Sequence, residues 1–361
     1  MFTTSHKGSD MKELTEGMAL LFESALEPVI GTDGENIVLM NPAAVSAFGD
    51  HRGAEFSALL PEAVRALAPS QVAAVTLCGK RASLRAASAG GLTVYFAAVE
   101  ARAPALPERA GFLPELRSLL SALKLAADRL SESAEAAGDA AGTERAAIVQ
   151  HTCAQLQRLV GNASLAGDIE SGSVSFRPEN LDLDELCRST TWTAEFFARS
   201  RGIEVVYSGP DEPVWIGADR VMMEILLLNL ISNSLLRLRE GGRLEVSLTR
   251  RGGRIVLAVD DTGSGMTQQE LSRLFTGGAS GQGMGLRLVR DIAELHGGAF
   301  IIEGREGRGA SARVMLQSDI RPGSGIFRST GVSEGPGHMG IVLVQLATWL
   351  SSKDYDPRLL D

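Results

Sequence analysis

Apolar residues along this chain recur with two different periods, and the changes of period mark out its elements. Leu113, Leu116, Leu120, Leu123, Ala127 and Leu130 step by three and four, the spacing of a helix that pairs along one stripe. Ser131 to Gly142 is small and polar and predicts a hairpin connection. Ala146 to Asp168 then returns as a second helix with Leu156, Leu159, Ala163 and Ala166 on one face. Two such hairpins would make a dimeric four-helix bundle; a hairpin packed within its own chain is the alternative.

Before the hairpin the pattern changes. Met11 to Leu26 is helical, and Pro28 to Gly34 with Ile37 to Asn41 reads as a β-hairpin across Asp33-Gly34. Asn41-Pro-Ala-Ala opens a short helix, and Val72 to Leu77, Ala82 to Ala87 and Leu92 to Val99 supply three further strands. After the hairpin come an apolar helix from Val221 to Leu238, a strand from Arg254 to Val259 and a helix from Leu286 to His296. Arg321 to Gly340 is rich in Gly, Pro and Ser and reads as a linker. The run Ile341 to Leu346 is β-like, expected either as an edge strand on the preceding sheet or as a cover on the bundle.

Composition narrows the class. A chain of 361 residues is long enough for two or three domains with sizeable cores. The net charge of −9, with no cluster of Lys, Arg and aromatics, argues against a nucleic-acid partner. Cys78, Cys153 and Cys187 lack metal-ligand spacing, which fits a reducing cytosol, and Cys78 is expected as a core thiol. The longest apolar run, Ile225 to Leu236, contains Asn229, Ser232, Asn233 and Ser234 and is too short and polar to span a bilayer. The expectation is a cytoplasmic protein with no membrane span.

Candidate chemistry lies in three stretches. Asn229 and Asn233 are four apart on the apolar helix, so both amides share a face, and an amide oxygen is a hard ligand suited to Mg²⁺. Asp261 follows a strand and opens the glycine loop Gly263-Ser-Gly265, where a carboxylate can accept from an exocyclic amine such as adenine's. Gly281-Gln-Gly283-Met-Gly285-Leu286 opens a helix and offers free N–H groups to phosphate. Taken singly, Gly-x-Gly is often only a turn and a buried Asn is often only a cap or bridge.

In this order, the three stretches resemble the ATP-binding domain of sensor histidine kinases, within the gyrase, Hsp90, histidine kinase and MutL superfamily. The resemblance runs from Asp182 to Leu316 and includes Leu271 to Phe275 and Glu294-Leu-His296-Gly-Gly298. It implies ATP and Mg as cofactors, Asn233 as the magnesium ligand and Asp261 as the adenine-reading carboxylate. Asn229, Arg237, Gly263, Gly265, Gly281, Gly283, Gly285 and Leu286 complete the expected nucleotide site. Residues 11–101 resemble a PAS sensor domain through Asp33-Gly34 and Asn41-Pro-Ala-Ala. The implied fold class is α/β multidomain: a PAS-like α+β domain at 11–101, a dimerising helical hairpin at 108–172, an α/β sandwich ATP-binding domain at 180–317, and a linker with a β-like segment at 318–361.

One position breaks the resemblance. Phe112-Leu-Pro114-Glu115-Leu116-Arg117-Ser118-Leu-Leu120 is similar to the family's phosphoacceptor box, Ser-His-Glu-Leu-Arg-Thr-Pro-Leu. Glu115, Leu116, Arg117 and Leu120 match, but Pro114 stands where the histidine belongs, and proline has no nitrogen to phosphorylate. Inside a helix proline costs about 3 kcal/mol, so it is expected in the first turn, with the helix starting near residue 114. Among the other histidines, His151 lies on the order of 15 Å along the bundle from that level and is expected as an exposed bundle residue. His296 has a helix-end capping role, and His6 and His338 lie in expected flexible segments. No catalytic residue is assigned; Glu115 and Asn229 are the candidates. Hydrolysing members of the superfamily carry a glutamate where Asn229 stands, and Glu224 faces away, so fast ATP hydrolysis is not expected.

Three functions follow from the resemblance. The chain is a sensor kinase signalling to a response regulator, a nucleotide-binding regulator of a partner kinase that does not phosphorylate itself, or a kinase acting on a separate protein. The expected partners are a second copy, through the hairpin, and a response regulator or partner kinase; Pro114 favours the second function.

Overall fold

The computed structural model describes residues 15 and 18–355, apart from 70, 90, 100–108, 252, 268–269, 272–283, 305 and 318–335. Those residues form two compact units, one built from residues up to 102 with 266–283 and 299–306, the other from the remainder.

In the first unit β1 (Val29–Thr32), β2 (Ile37–Met40), β3 (Gln71–Leu77), β4 (Lys80–Ala89) and β5 (Leu92–Val99) pair antiparallel in the order β2-β1-β5-β4-β3. The Asp33 turn works as the sequence requires: its Oδ1 accepts from the N–H groups of Glu35 and Asn36 at 2.9 and 2.7 Å. Asn41 is buried and caps α1 (Pro42–Phe48) by accepting from Ala44 N–H. Its Nδ2 donates to the carbonyls of Phe22, Ala25 and Glu27, tying the preceding helical stretch to the sheet. A sixth strand of this unit, β11 (Ala299–Gly304), pairs antiparallel with β3, setting Phe300 against Ala74 and Glu303 against Gln71. Cys78 corrects the expectation of a core thiol: it is exposed at the β3–β4 turn with φ 48°. Leu77 ends the buried row, and the two-residue turn after it has no interior side.

The second unit begins with α2 (Arg109–Ala136) and α3 (Ala140–Ser171), an antiparallel hairpin. Leu120 and Ala127 of the expected stripe are buried between the helices, and Gln150 donates to Asp128 across them at 3.0 Å. Two expectations are corrected here. The helix starts five residues before Pro114, which therefore lies inside it. Near a helix end proline removes one bond, to the carbonyl of Ala110, and a helix of 28 residues tolerates that loss. The connection is also shorter than expected, because Ala-rich sequence carries both helices to within a few residues of Asp139, whose side chain caps α3 through Gly142 N–H.

The rest of this unit is a four-stranded sheet, β12 (Ala310–Gln317), β10 (Arg254–Asp261), β9 (Arg243–Arg251) and β7 (Glu204–Ser208), with a two-stranded ladder of β6 (Glu179–Asp182) and β8 (Trp215–Ala218). Helices α4 (Leu183–Arg199), α5 (Arg220–Leu235) and α6 (Met284–Leu295) pack with it. Leu226, Leu230, Ile255, Leu257, Val259, Leu288 and Ile292, each at 1% exposure or less, are part of the core. Burying one such side chain contributes roughly 1.5–3 kcal/mol.

The run at 341–346 is not a strand. It belongs to α7 (Pro336–Leu346), which packs on α3, α4 and α5. Its β-branched composition favours a strand, but Val342, Gln345 and Leu346 recur at steps of three and one, and all three are buried on one helical face. Of the alternatives open in the sequence, the segment takes the place of a cover on the hairpin.

Candidate nucleotide site

Alternation along β10 places Ile255, Leu257 and Val259 in the core, and Asp261 continues that row at 8% exposure. The period therefore delivers a carboxylate to the helix-covered face at the point where the strand ends. Asp261 Oδ1 accepts from Gly263 N–H at 2.9 Å and from Ala310 N–H at 3.3 Å, which fixes the plane of the group. Gly309 makes this possible: its φ is +83°, and a Cβ there would run into the carbonyl oxygen of Asp261.

Arg237 closes the glycine loop from the other side. Its Nη1 donates to Gly265 O at 3.0 Å, and its carbonyl accepts from Ser264 N–H at 3.4 Å. The first residues past α5 thus hold the loop that follows β10.

Asp219 caps α5 by accepting from Met222 N–H at 3.1 Å, so the helix presents Asn229 and Asn233 one turn apart. The two amides have different surroundings. Asn229 has no exposed surface; its Nδ2 donates to Ile225 O at 2.8 Å and to Gln345 Oε1 at 3.4 Å. Its Oδ1 accepts from Arg158 Nη2 and Asn162 Nδ2, each at 3.4 Å. Asn233 is half-buried, and its Nδ2 is shielded from solvent with no hydrogen-bond partner among the described residues. An orphaned amide N–H at such a position suits an acceptor such as a phosphate oxygen.

Gly285 lies beside both, at the start of α6. A Cβ there would come within 2.8 Å of Asn229 Oδ1 and 3.6 Å of Asn233 Nδ2, so only glycine lets the helix start approach the amides this closely. Leu286 is buried behind it. Gly281 and Gly283 lie outside the described residues, as does most of Leu271 to Phe275. Glu115 is exposed on α2.

His296 is a structural member of this layer. Asp219 N–H donates to its Nε2 at 3.0 Å, so Nδ1 carries the proton and donates to Ile292 O at 2.8 Å. Burial pulls its pKa below the ordinary 6.5, outweighing the bond to Ile292 and the Asp219 charge. Phe176 packs edge-on against the ring at 5.0 Å, and Arg177 N–H donates to Asp219 at 3.1 Å, anchoring the chain that leaves the hairpin. His151 is not the exposed bundle residue expected. It is half-buried, its Nε2 lies 2.9 Å from Ala347 O, and its ring contacts Tyr355 at 5.2 Å. Sequence reasoning missed Gly309, Arg158, Asn162 and Gln345 because each acts across long separations and belongs to no local motif.

Residues 218–320 match the family described as histidine kinase-, DNA gyrase B-, and HSP90-like ATPase. The chain is 28% identical over 215 residues to the sensor histidine kinase ZraS of Escherichia coli (strain K12), covering 58% of this chain and 45% of that protein. It is 29% identical over 188 residues to the histidine protein kinase DivJ of Caulobacter vibrioides, covering 50% and 32%. Among solved structures, full-length ShkA in complex with AMPPNP aligns at 21% identity and TM-score 0.45, over 56% of this chain and 45% of that one. Residues 218–320 thus carry an ATPase domain of the histidine kinase, gyrase B and HSP90 kind, and the chain is similar to sensor histidine kinases over about half its length. It spans less than half the length of these curated relatives. No helix among the described residues is long and apolar enough to cross a membrane.

Proposed function

We propose that the chain is a histidine-kinase-like signalling protein that binds Mg-ATP and dimerises through its hairpin without phosphorylating itself at position 114. The observation that carries the nucleotide reading is the pinned carboxylate of Asp261 at the end of β10, whose glycine loop is tied through Arg237 to the end of α5, the helix that bears the orphaned amide of Asn233. In this reading the carboxylate accepts from the adenine amine, Asn233 holds the metal and a phosphate oxygen, and the start of α6 at Gly285 faces the phosphates. Bound Mg-ATP supplies a phosphoryl group and its leaving group; the chain's own residues bind and orient it. Gly263, Gly265 and Arg237 shape the wall beside the base.

Dimerisation is supported by the apolar surface of the hairpin. Phe112, Leu119, Leu123 and Leu130 on α2 and Ile148, Leu156 and Leu159 on α3 are all at least 40% exposed. A stripe of that size on two helices fits a second copy. Residues 11–101 are the input domain in this reading, and the strand order β2-β1-β5-β4-β3 with a capped helix after β2 supports a PAS-like assignment. The ATP-binding domain at 180–317 passes the input to a response regulator or partner kinase in the cytoplasm.

The reading is tested by titrating the purified full chain with ATP and Mg²⁺, beside Asn233→Ala and Asp261→Asn, and by incubation with γ-labelled ATP. Binding that both variants weaken, without label on the chain, is the expected result. Acid-labile label on the chain would replace it with an active kinase using another acceptor, and label on Ser or Thr of an added partner would make it a protein kinase acting in trans. No binding would remove the nucleotide reading altogether.

A further inference from the structure

Three buried carboxamides from three separate elements close a ring. Gln345 Nε2 of α7 donates to Asn162 Oδ1 of α3 at 3.2 Å, Asn162 Nδ2 donates to Asn229 Oδ1 of α5 at 3.4 Å, and Asn229 Nδ2 donates back to Gln345 Oε1 at 3.4 Å. All three side chains are buried, at 6%, 5% and 0% exposure. The segment that supplies Gln345 is fastened along its length. Ala347 O receives His151 and Gln155 of α3, Thr348 Oγ1 accepts from Arg158, and Arg201, at the end of the α4 layer, pairs with Asp354 at 2.6 Å and stacks over Trp349 at 4.1 Å. Val342, Leu346, Ala347 and Leu350 fill the space beneath at 3% exposure or less.

We propose that residues 341–355 are an intramolecular clamp that fixes the ATP-binding layer on the second hairpin helix and sequesters Asn229 from nucleotide. The inference deepens the nucleotide reading above and rests on it for its inhibitory part. Asn229 lies one turn before Asn233 on the same face, so it is the next amide a bound metal or phosphate would meet. In the clamped chain every polar atom of its side chain is bonded inward, and it has no surface to offer. Arg158, held between Thr348 and Asn229, makes no ion pair among the described residues and is sequestered by the same contacts. A segment that grips α3, α4 and α5 together also removes the freedom of the ATP-binding layer to shift against the hairpin. Release of 341–355 therefore frees an amide and a cation toward the phosphate side and loosens two helices at once.

The test uses the full chain, Leu346→Asp to eject the segment, and Gln345→Leu to cut the ring while keeping the apolar packing. Hydrogen exchange is read at 341–355, at 151–162 of α3 and at 225–236 of α5, alongside Mg-ATP affinity. The expected result is faster exchange at all three places and about tenfold tighter nucleotide binding, as when a masked state is unmasked. Exchange that rises only at 341–355, with α3 and α5 as protected as before, would overturn the clamp. Loosened helices with unchanged or weaker affinity would overturn its inhibitory role. If no form binds nucleotide, the nucleotide reading and the inhibitory role fall together, while the exchange data still decide the clamp. Should Leu346→Asp not fold, Gln345→Leu decides each point in the same way.

Discussion

Asn229 Nδ2 donates to Gln345 Oε1 at 3.4 Å across 116 positions of sequence, joining the helix of the candidate nucleotide site to the segment that covers it. Neither residue is exposed beyond 6%, so the bond is sheltered from water and its loss is not repaired by solvent.

That gives the first prediction. Gln345→Leu leaves Asn162 without its donor and Asn229 without one acceptor, and is expected to lower stability by about 1–3 kcal/mol. Adding Asn162→Leu should cost less than the sum of the two single changes, because both groups of one bond are then gone. Urea unfolding of the three variants checks this, and strict additivity would contradict the ring.

Asp261→Asn is expected to fold normally, since an amide oxygen can still accept from Gly263 and Ala310. Nucleotide affinity should fall by roughly ten- to a hundredfold, the effect of losing a charge-assisted hydrogen bond. Calorimetric titration beside a thermal melt separates the two effects. An unchanged affinity would show that the carboxylate does not read the base.

Gly285→Ala places a methyl group within 2.8 Å of Asn229 Oδ1. Overpacking of that kind costs about 1–3 kcal/mol, and here it also pushes the start of α6 away from the amides. A lower Tm together with weaker nucleotide binding is expected. Gly309→Ala should be worse, because the left-handed φ and the carbonyl of Asp261 both oppose the methyl.

His296 makes stability pH-dependent. Its pKa is lowered in the folded chain by burial, so the unfolded chain binds the proton first as pH falls. The contribution is fully present above the ordinary value near 6.5 and is lost progressively below it. Stability measured in urea should decline from about pH 7.5 to about pH 5.5, and His296→Gln should flatten that decline.

Much of the candidate site was legible because it is built from local patterns. The alternation Ile255, Leu257, Val259 locates β10 and predicts which way Asp261 faces, and the four-residue spacing of Asn229 and Asn233 predicts a shared helical face. The different surroundings of those two amides were not legible. They depend on Asn162 and Gln345, which come from elements far away in sequence and carry no motif. Pro114 and the run at 341–346 misled for a related reason. Local preference argued for a helix start and a strand, whereas a long helix and a buried face on α3 decided otherwise.

The pairing of β3 with β11 bears on how the chain is made. The first unit is discontinuous: five of its strands emerge early in synthesis, and the sixth emerges only after the hairpin and most of the ATPase domain. Until then one edge of β3 stands bare on the nascent chain, an invitation to pair with other strands. A fragment cut at residue 102 would keep that edge permanently, so dissecting the protein at its apparent boundary should yield a piece prone to self-association.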